Sequence, residues 1–255
     1  VYRGFPAGKG QSSVVSRRQT KMGKRISILI GIVVLAAAFC QLLLPGIISG
    51  NLANRIKEAA RAENVTANVR AMPGFMLLAG QMDNLDVVVD NAWLGDIQVS
   101  RLTLHGENLQ VDYSALDSRD GSAIQSADNL ELTGVITQQA LQDMLVKKME
   151  KVDNLHVQMD TDKISATGQV KLLGRMADIT LEGKVLPENG GLYFHMTRLD
   201  IRNAVLGQAV LGNFFGDILI FDLYNSPIRA EIDDVQQQAG QVTIKAVRKE
   251  GNSLQ

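Results

Sequence analysis

The side chains that could serve in catalysis or metal binding are few and dispersed along the sequence. The three histidines could each act as a general base or a metal ligand. His156 and His195 fall on the polar faces of predicted strands, and His105 lies beside a glycine that we interpret as a turn. No HxH or HExxH spacing suggests a metal site. We therefore predict surface histidines and no cofactor.

Acidic residues and one thiol are the other groups with chemical potential. Five aspartates would offer enough carboxylate oxygens for calcium if they converged: Asp83, Asp86, Asp90, Asp233 and Asp234. The alternation of Asp86 and Asp90 is more typical of the solvated face of a strand. Cys40, the single cysteine, excludes an intramolecular disulfide and a cysteine-ligated zinc site. Because G-x-S-x-G, GxGxxG and Walker sequences are also missing, we predict that the protein is not an enzyme.

The composition is that of a globular protein with an aliphatic core. Hydrophobic residues make up 45% of the 255 residues, charged residues 21% and aromatic residues only 5%. Residues 1–50 carry seven Lys or Arg and no acid, which leaves 19 basic side chains against all 27 acidic ones in the remainder. Residues 51–255 therefore carry an excess of negative charge, which repels phosphate polymers. We predict no nucleic-acid partner.

A long apolar run near the N-terminus explains this charge asymmetry. Ile26 to Ile48 contains no ionisable group except the thiol of Cys40. As a helix it is about 34 Å long, enough to cross a hydrocarbon core of about 30 Å. The positive-inside rule places the basic segment 1–25 in the cytoplasm and the body after Gly50 outside the cell membrane, or in a periplasm if a second membrane exists.

The true start of the protein is predicted near Met22, where Met-Gly-Lys-Arg leads directly into the apolar run. We favour an uncleaved signal anchor over 26–48, since the hydrophobic part of a cleaved signal is normally shorter. Cleavage near Ser49 and Gly50 is the alternative. The body, 51–248, is predicted to be one extracytoplasmic domain followed by a tail, 249–255.

Alternating apolar and polar residues dominate that domain and predict antiparallel strands with one wet face. The clearest case is Lys163 to Leu172, in which Ile164, Ala166 and Val170 share one side. A short amphipathic helix, Asn51 to Glu63, precedes the strands.

Two further helices are predicted among the strands, from Thr137 as N-cap to Lys151 and from Ala204 to Gly216. We predict a mainly β, α+β fold in which a long curved antiparallel sheet wraps around one or two helices. This is an elongated β/α half barrel, preceded by a transmembrane helix.

Several stretches resemble the LmeA-like phospholipid-binding family of bacterial envelope proteins. They are Pro73-Gly74 with Gly80 to Val87, Leu132 to Thr137 leading into Leu141 and Leu145, Ile164 to Val170 with Gly168, Asp222 to Ile228, and Gly240 to Ile244. The resemblance covers roughly Asn51 to Val247. It implies an elongated β/α barrel whose hydrophobic cavity holds phospholipid outside the cytoplasmic membrane.

We therefore predict a membrane-anchored protein that binds or transfers phospholipid or another acyl lipid in an apolar cavity. The residues expected to line the cavity are Leu141, Leu145, Ala166, Phe194, Met196, Phe214 and Phe215. Two alternative hypotheses to this lipid-binding function remain. The same side chains could fill a closed core, and the sheet could instead bind another protein as a non-enzymatic envelope scaffold.

Overall fold

The computed structural model describes residues 19–115, 124–172, 175–202, 217–223 and 230–248. The predicted helix 204–216, with Phe214 and Phe215, lies outside the described residues, as does the tail. The helices are α1 (Gln19–Ala59) and α2 (Gln138–Lys148), with a short 3₁₀ helix at Gly74–Ala79. The described strands are β1 (Asn64–Arg70), β2 (Gln81–Leu94), β3 (Ile97–Val111), β4 (Ile124–Ser126), β5 (Asn129–Thr137), β6 (Val152–Met159), β7 (Ile164–Leu172), β8 (Arg175–Glu188), β9 (Gly191–Arg202), β10 (Ile218–Asp222), β11 (Glu231–Gln238) and β12 (Gln241–Val247).

The strands form two antiparallel sheets. In the first sheet the order is β1-β2-β3-β5-β12-β11, with β4 paired to β3; in the second it is β10-β9-β8-β7-β6. The mainly β fold, with curled antiparallel sheet in a half barrel and an apolar N-terminal helix, is confirmed. The alternation that predicted β7 is also confirmed, because Ile164, Ala166 and Val170 are buried on one face. The pairing of β7 and β8 is unbroken from Ile164 opposite Gly183 to Leu172 opposite Arg175.

Helix α2 contacts both sheets. Its predicted N-cap is confirmed: the hydroxyl oxygen of Thr137 accepts a hydrogen bond of 3.2 Å from the Ala140 N–H. The helix ends at Lys148, three residues before the predicted end, and Val152 belongs to β6. Leu141, Met144 and Leu145 are fully or almost fully buried between the sheets. The one-sided apolar pattern of α2 thus meets the apolar faces of the strands.

Helix α1 is one continuous helix rather than an anchor followed by a separate amphipathic helix. It runs through Pro45 to Ala59, although proline removes one backbone hydrogen bond from the helix. Side chains from residue 31 to Phe39 are exposed. From there on, partly buried residues recur every four positions and pack against the domain: Leu44, Ile48, Leu52 and Ile56. The second half of the helix is therefore part of the domain's core.

Three apolar clusters hold the described part of the molecule together. The first cluster joins α2 to both sheets. The second cluster joins α1 to the 3₁₀ helix and to β1, β2, β3 and β4. The third cluster is small and consists of Leu132, Leu223, Ala230 and Ala246. No polar or charged side chain is buried among the described residues, so these clusters are held by aliphatic packing and the hydrophobic effect.

Candidate functional site

An apolar groove lies on the inner face of the first sheet. Its lining is entirely apolar: Leu94, Val99, Leu102, Leu132, Gly134, Phe221, Leu223, Ile244 and Ala246. Its free volume is only about 10 Å³, roughly the space that one water molecule needs. Clefts that bind drug-sized ligands measure about 300–1,000 Å³. An acyl chain therefore enters this groove only if the lining side chains move apart.

A glycine at the centre of the sheet creates this groove. Gly134 on β5 is paired with Leu102 on β3 and with Ile244 on β12, so it occupies the middle of a row that crosses three strands. A Cβ at this position would lie 3.6 Å from Leu102 Cδ1 and 3.7 Å from Val99 Cγ1, which are ordinary contact distances. A methyl group at this position would therefore fit in contact with these two side chains, and a larger side chain would take up the small space that remains.

The predicted site residues lie in the first cluster. Leu141, Leu145, Ala166 and Phe194 are fully buried there, and Met196 is partly buried against it. Phe214 and Phe215 lie outside the described residues. The five described residues do not line the apolar groove, which is formed by a different set of side chains. Whether they contact lipid stays a prediction.

The apolar groove and the first cluster are nevertheless contiguous. Val99 and Ile244 line the groove and belong to the cluster, and Leu94, Leu102 and Phe221 pack against it. Sequence reasoning missed Gly134 as a functional position. The signal was present, because Leu130, Leu132, Gly134 and Ile136 alternate on one face and the glycine is the only small member of that series. A glycine in a strand often marks close approach by a ligand or another chain segment.

Two of the three histidines considered above as catalytic candidates form surface ion pairs. His105 lies inside β3 and not in a turn, and its Nδ1 is 2.6 Å from Asp86 Oδ1 on β2. The hydrogen bond with Asp86 raises the pKa of His105, against a smaller opposing effect of burial. His195 Nδ1 is 2.9 Å from Asp217 Oδ1, and His156 is exposed on β6. In the described ranges, no group of three or more His, Cys, Asp or Glu could hold a metal ion.

The aspartates considered as calcium ligands have partners within the protein. Asp83 accepts a hydrogen bond of 2.7 Å from the Met72 N–H, and Asp90 pairs with Arg101 at 3.1 Å. Asp86 is engaged by His105. These contacts explain why acidic residues alternate along β2: they face basic or backbone donors on adjoining elements.

One helix within the described residues is long and apolar enough to cross a membrane. Within Gly31–Ala59 of α1, an 18-residue window reaches a mean hydropathy of 2.3. Length and composition alone do not separate a membrane anchor from a signal sequence at this position. The exposed side chains before Gln41 distinguish that part of α1 from the packed part after it.

The described fold is thus a curled antiparallel half barrel that holds a helix and carries a small apolar groove. The model of the LmeA-like phospholipid-binding family matches residues 41–247, and the chain belongs to this family. The family resemblance seen in the sequence is therefore confirmed. No curated protein and no solved structure matches the chain at a significant level.

Proposed function

We propose that this protein is a membrane-anchored, extracytoplasmic phospholipid-binding protein of the bacterial cell envelope, which holds an acyl chain in the apolar groove. The observation that carries the proposal is the groove around Gly134, whose described lining is entirely apolar. Membership of a phospholipid-binding family supports the ligand class. In this proposal the protein acts by binding and carries out no reaction.

The chemistry of the groove fits the tail of a lipid better than its headgroup. Its described lining contains no charged side chain and no hydrogen-bonding side chain. A phosphate placed there would lose its hydration without gaining a partner, which is strongly unfavourable. An acyl chain, in contrast, gains about 0.8 kcal/mol for each methylene group removed from water. We therefore place the tail in the groove and the headgroup outside it.

The residues predicted from the sequence have a place in this proposal. Leu141, Leu145, Ala166, Phe194 and Met196 form the packed layer behind the groove, in contact with its floor through Val99 and Ile244. We propose that the lining side chains and this layer move apart when an acyl chain enters, because the groove has free space for about one water molecule. In this proposal the anchor α1 keeps the domain beside the membrane that supplies the lipid. The protein then transfers the bound lipid to another site in the envelope.

Photocrosslinking tests the proposed site. The full chain is reconstituted into vesicles that contain a phospholipid with a photoreactive acyl chain, and the labelled peptides are identified by mass spectrometry. We expect labels on β3, β5 and β12, at residues such as Leu102, Leu132 and Ile244. Labels confined to α1 would contradict a lipid site in the groove and favour the alternative of a scaffold that binds protein.

A matched pair of variants sharpens this experiment. Gly134→Leu fills the groove, whereas Val135→Leu adds bulk at the next residue of the same strand, on the opposite face. We expect Gly134→Leu to reduce labelling of Ile244 several-fold and Val135→Leu to leave it unchanged. Equal labelling of both variants would show that the lipid does not occupy the space above Gly134.

A further inference from the structure

The turn between β1 and β2 exposes three large apolar side chains close together. We name residues 72–79 the apolar tip. Met72 is 79% exposed, Phe75 50% and Leu78 67%. Leu77, in the same turn, is fully buried in the second cluster and holds the tip in place. This is a concentration of apolar surface on a short, well-packed element, which indicates an interaction surface.

The apolar tip lies directly against the apolar part of α1. The Gly74 N–H donates a hydrogen bond of 2.6 Å to Gln41 Oε1, and a Cβ on Gly74 would lie only 2.7 Å from the Cys40 carbonyl oxygen. Gln41 precedes Ile48, the last residue of the apolar run, by seven positions. At 1.5 Å per residue the tip therefore reaches back about 10 Å along the apolar run. Interfacial membrane anchors bury their apolar face to a depth of about 5–10 Å.

Several backbone groups of the tip and of the adjoining Ala71 are hydrogen-bonded by side chains. Met72 N–H and Gly74 N–H donate to Asp83 and Gln41. The carbonyl oxygens of Ala71, Leu77 and Ala79 accept from Gln41 Nε2, Tyr113 Oη and Gln110 Nε2, at 3.4, 2.7 and 2.9 Å. Irregular backbone is tolerated at membrane depth only where its polar groups have such internal partners. These bonds give the paired groups partners that they would otherwise lack if the tip entered an apolar phase.

The exposed surface of α1 continues that of the tip. Leu42, Leu43 and Ile47 are exposed on the helix at the level where Gln41 and Leu44 contact the domain. Two charged residues lie at the base of the tip: Arg70 is the last residue of β1, and Asp83 is the third residue of β2. One apolar surface thus spans two elements, with charges only at its base.

We propose that the apolar tip inserts into the outer leaflet of the bilayer beside α1, with Met72, Phe75 and Leu78 in contact with lipid and Arg70 at the level of the headgroups. This inference rests on the proposed membrane anchoring and adds a second point of attachment to it. With two points of attachment, the orientation of the domain relative to the membrane is fixed, whereas attachment through α1 alone would leave it variable.

Quenching of tryptophan by brominated lipid tests the insertion. The full chain contains one tryptophan, so Trp93→Phe provides a silent background. Phe75→Trp, Leu35→Trp on the exposed part of α1 and Leu186→Trp on β8 are introduced singly. Each protein is reconstituted into vesicles of phosphatidylglycerol and phosphatidylcholine whose acyl chains are brominated either close to the headgroup, for the tip, or near the chain end, for Leu35→Trp; Leu186→Trp is measured in both. Circular dichroism confirms that each variant retains its β structure.

We expect strong quenching of Phe75→Trp and Leu35→Trp and little quenching of Leu186→Trp. If Leu35→Trp is quenched while Phe75→Trp is quenched no more than Leu186→Trp, the membrane anchoring by α1 is supported and the insertion of the tip is contradicted. A second copy or another protein covering the tip would give this same unquenched result. If neither Leu35→Trp nor Phe75→Trp is quenched, both the anchoring and the insertion are overturned. Equal quenching of all three would show a domain lying flat on the bilayer, and would contradict insertion through the tip.

Discussion

Gln41 in α1 is tied to Gly74, 33 residues further along the chain, by a hydrogen bond of 2.6 Å from the Gly74 N–H to the side-chain oxygen of Gln41. The amide nitrogen of the same side chain donates to the Ala71 carbonyl oxygen at 3.4 Å. One polar residue within an apolar run thus satisfies two backbone groups of the domain. The family match also begins at Gln41, which agrees with a helix whose later part belongs to the domain.

Replacing Gln41 by leucine should loosen this connection. The variant leaves the Gly74 N–H and the Ala71 carbonyl without their partner, and an unsatisfied buried group costs about 1–3 kcal/mol. We expect the free energy of unfolding, measured by guanidinium titration in detergent with Trp93 fluorescence, to fall by an amount in that range. Leu42→Ala is the control, because Leu42 is 78% exposed in the absence of lipid. An unchanged midpoint for Gln41→Leu would mean that the two bonds contribute nothing to stability.

The N-terminus of α2 offers a second test of local structure. The Thr137 side chain accepts from the Ala140 N–H and joins β5 directly to the helix. Thr137→Ala removes that acceptor and should lower the free energy of unfolding by about 0.5–2 kcal/mol. Thr137→Ser keeps the hydroxyl and should retain most of the stability. If the serine variant is as unstable as the alanine variant, the lost methyl packing, and not the cap, is responsible.

The pair of His105 and Asp86 should make stability depend on pH. The pKa of His105 in the folded protein is raised above its ordinary value of 6.5, first because of the hydrogen bond with Asp86. A raised folded pKa means that the stabilisation is fully present below about pH 6.5 and is lost as the pH rises through the folded pKa. The melting temperature of the wild type should therefore fall towards that of His105→Gln as the pH increases.

The control for this titration is His156→Gln, at an exposed position on β6. Its melting temperature should follow that of the wild type across the same pH range. A constant difference between the wild type and His105→Gln at every pH would contradict the proposed coupling between His105 and Asp86. Because His105 is partly exposed, the effect should also weaken as salt is added.

The sequence was informative where a physical period repeats over many residues. Alternation predicted β7, and the capping threonine with its apolar stripe predicted α2, because burial on one face selects for these patterns. The division of the strands into two sheets depends on contacts between distant segments, which no local pattern records. Similarly, Gly134 forms a groove only because Leu102 and Ile244 lie on either side of it, and these residues come from strands far apart in the sequence.

The extent of helix α1 shows a different limit of sequence reasoning. Apolar residues from 42 to 48 serve equally well in contact with lipid and with protein, so hydropathy cannot tell one environment from the other. In the structure, Leu44 and Ile48 contact the second cluster while Leu42 and Ile47 face outward. The four-residue spacing of the packed side chains was the available signal, and the uniform hydrophobicity of the run concealed it.

The contrast between Ala166 and Gly134 separates a closed core from an open groove. Ala166 is fully buried and is paired with Val157 and Leu181 on the neighbouring strands. Ala166→Leu inserts a larger side chain into a packed layer, which typically costs about 1–3 kcal/mol. Gly134→Ala adds one methyl group in the groove, where its contacts are at ordinary distances. We expect urea unfolding to show a clear loss of stability for Ala166→Leu and a much smaller one for Gly134→Ala.

The lipid recovered with the two leucine variants separates the two regions. If lipid is bound in the groove alone, Gly134→Leu and not Ala166→Leu should reduce the amount recovered with the protein, after correction for the unfolded fraction. A loss of lipid from folded Ala166→Leu would show instead that the acyl chain reaches the layer behind the groove.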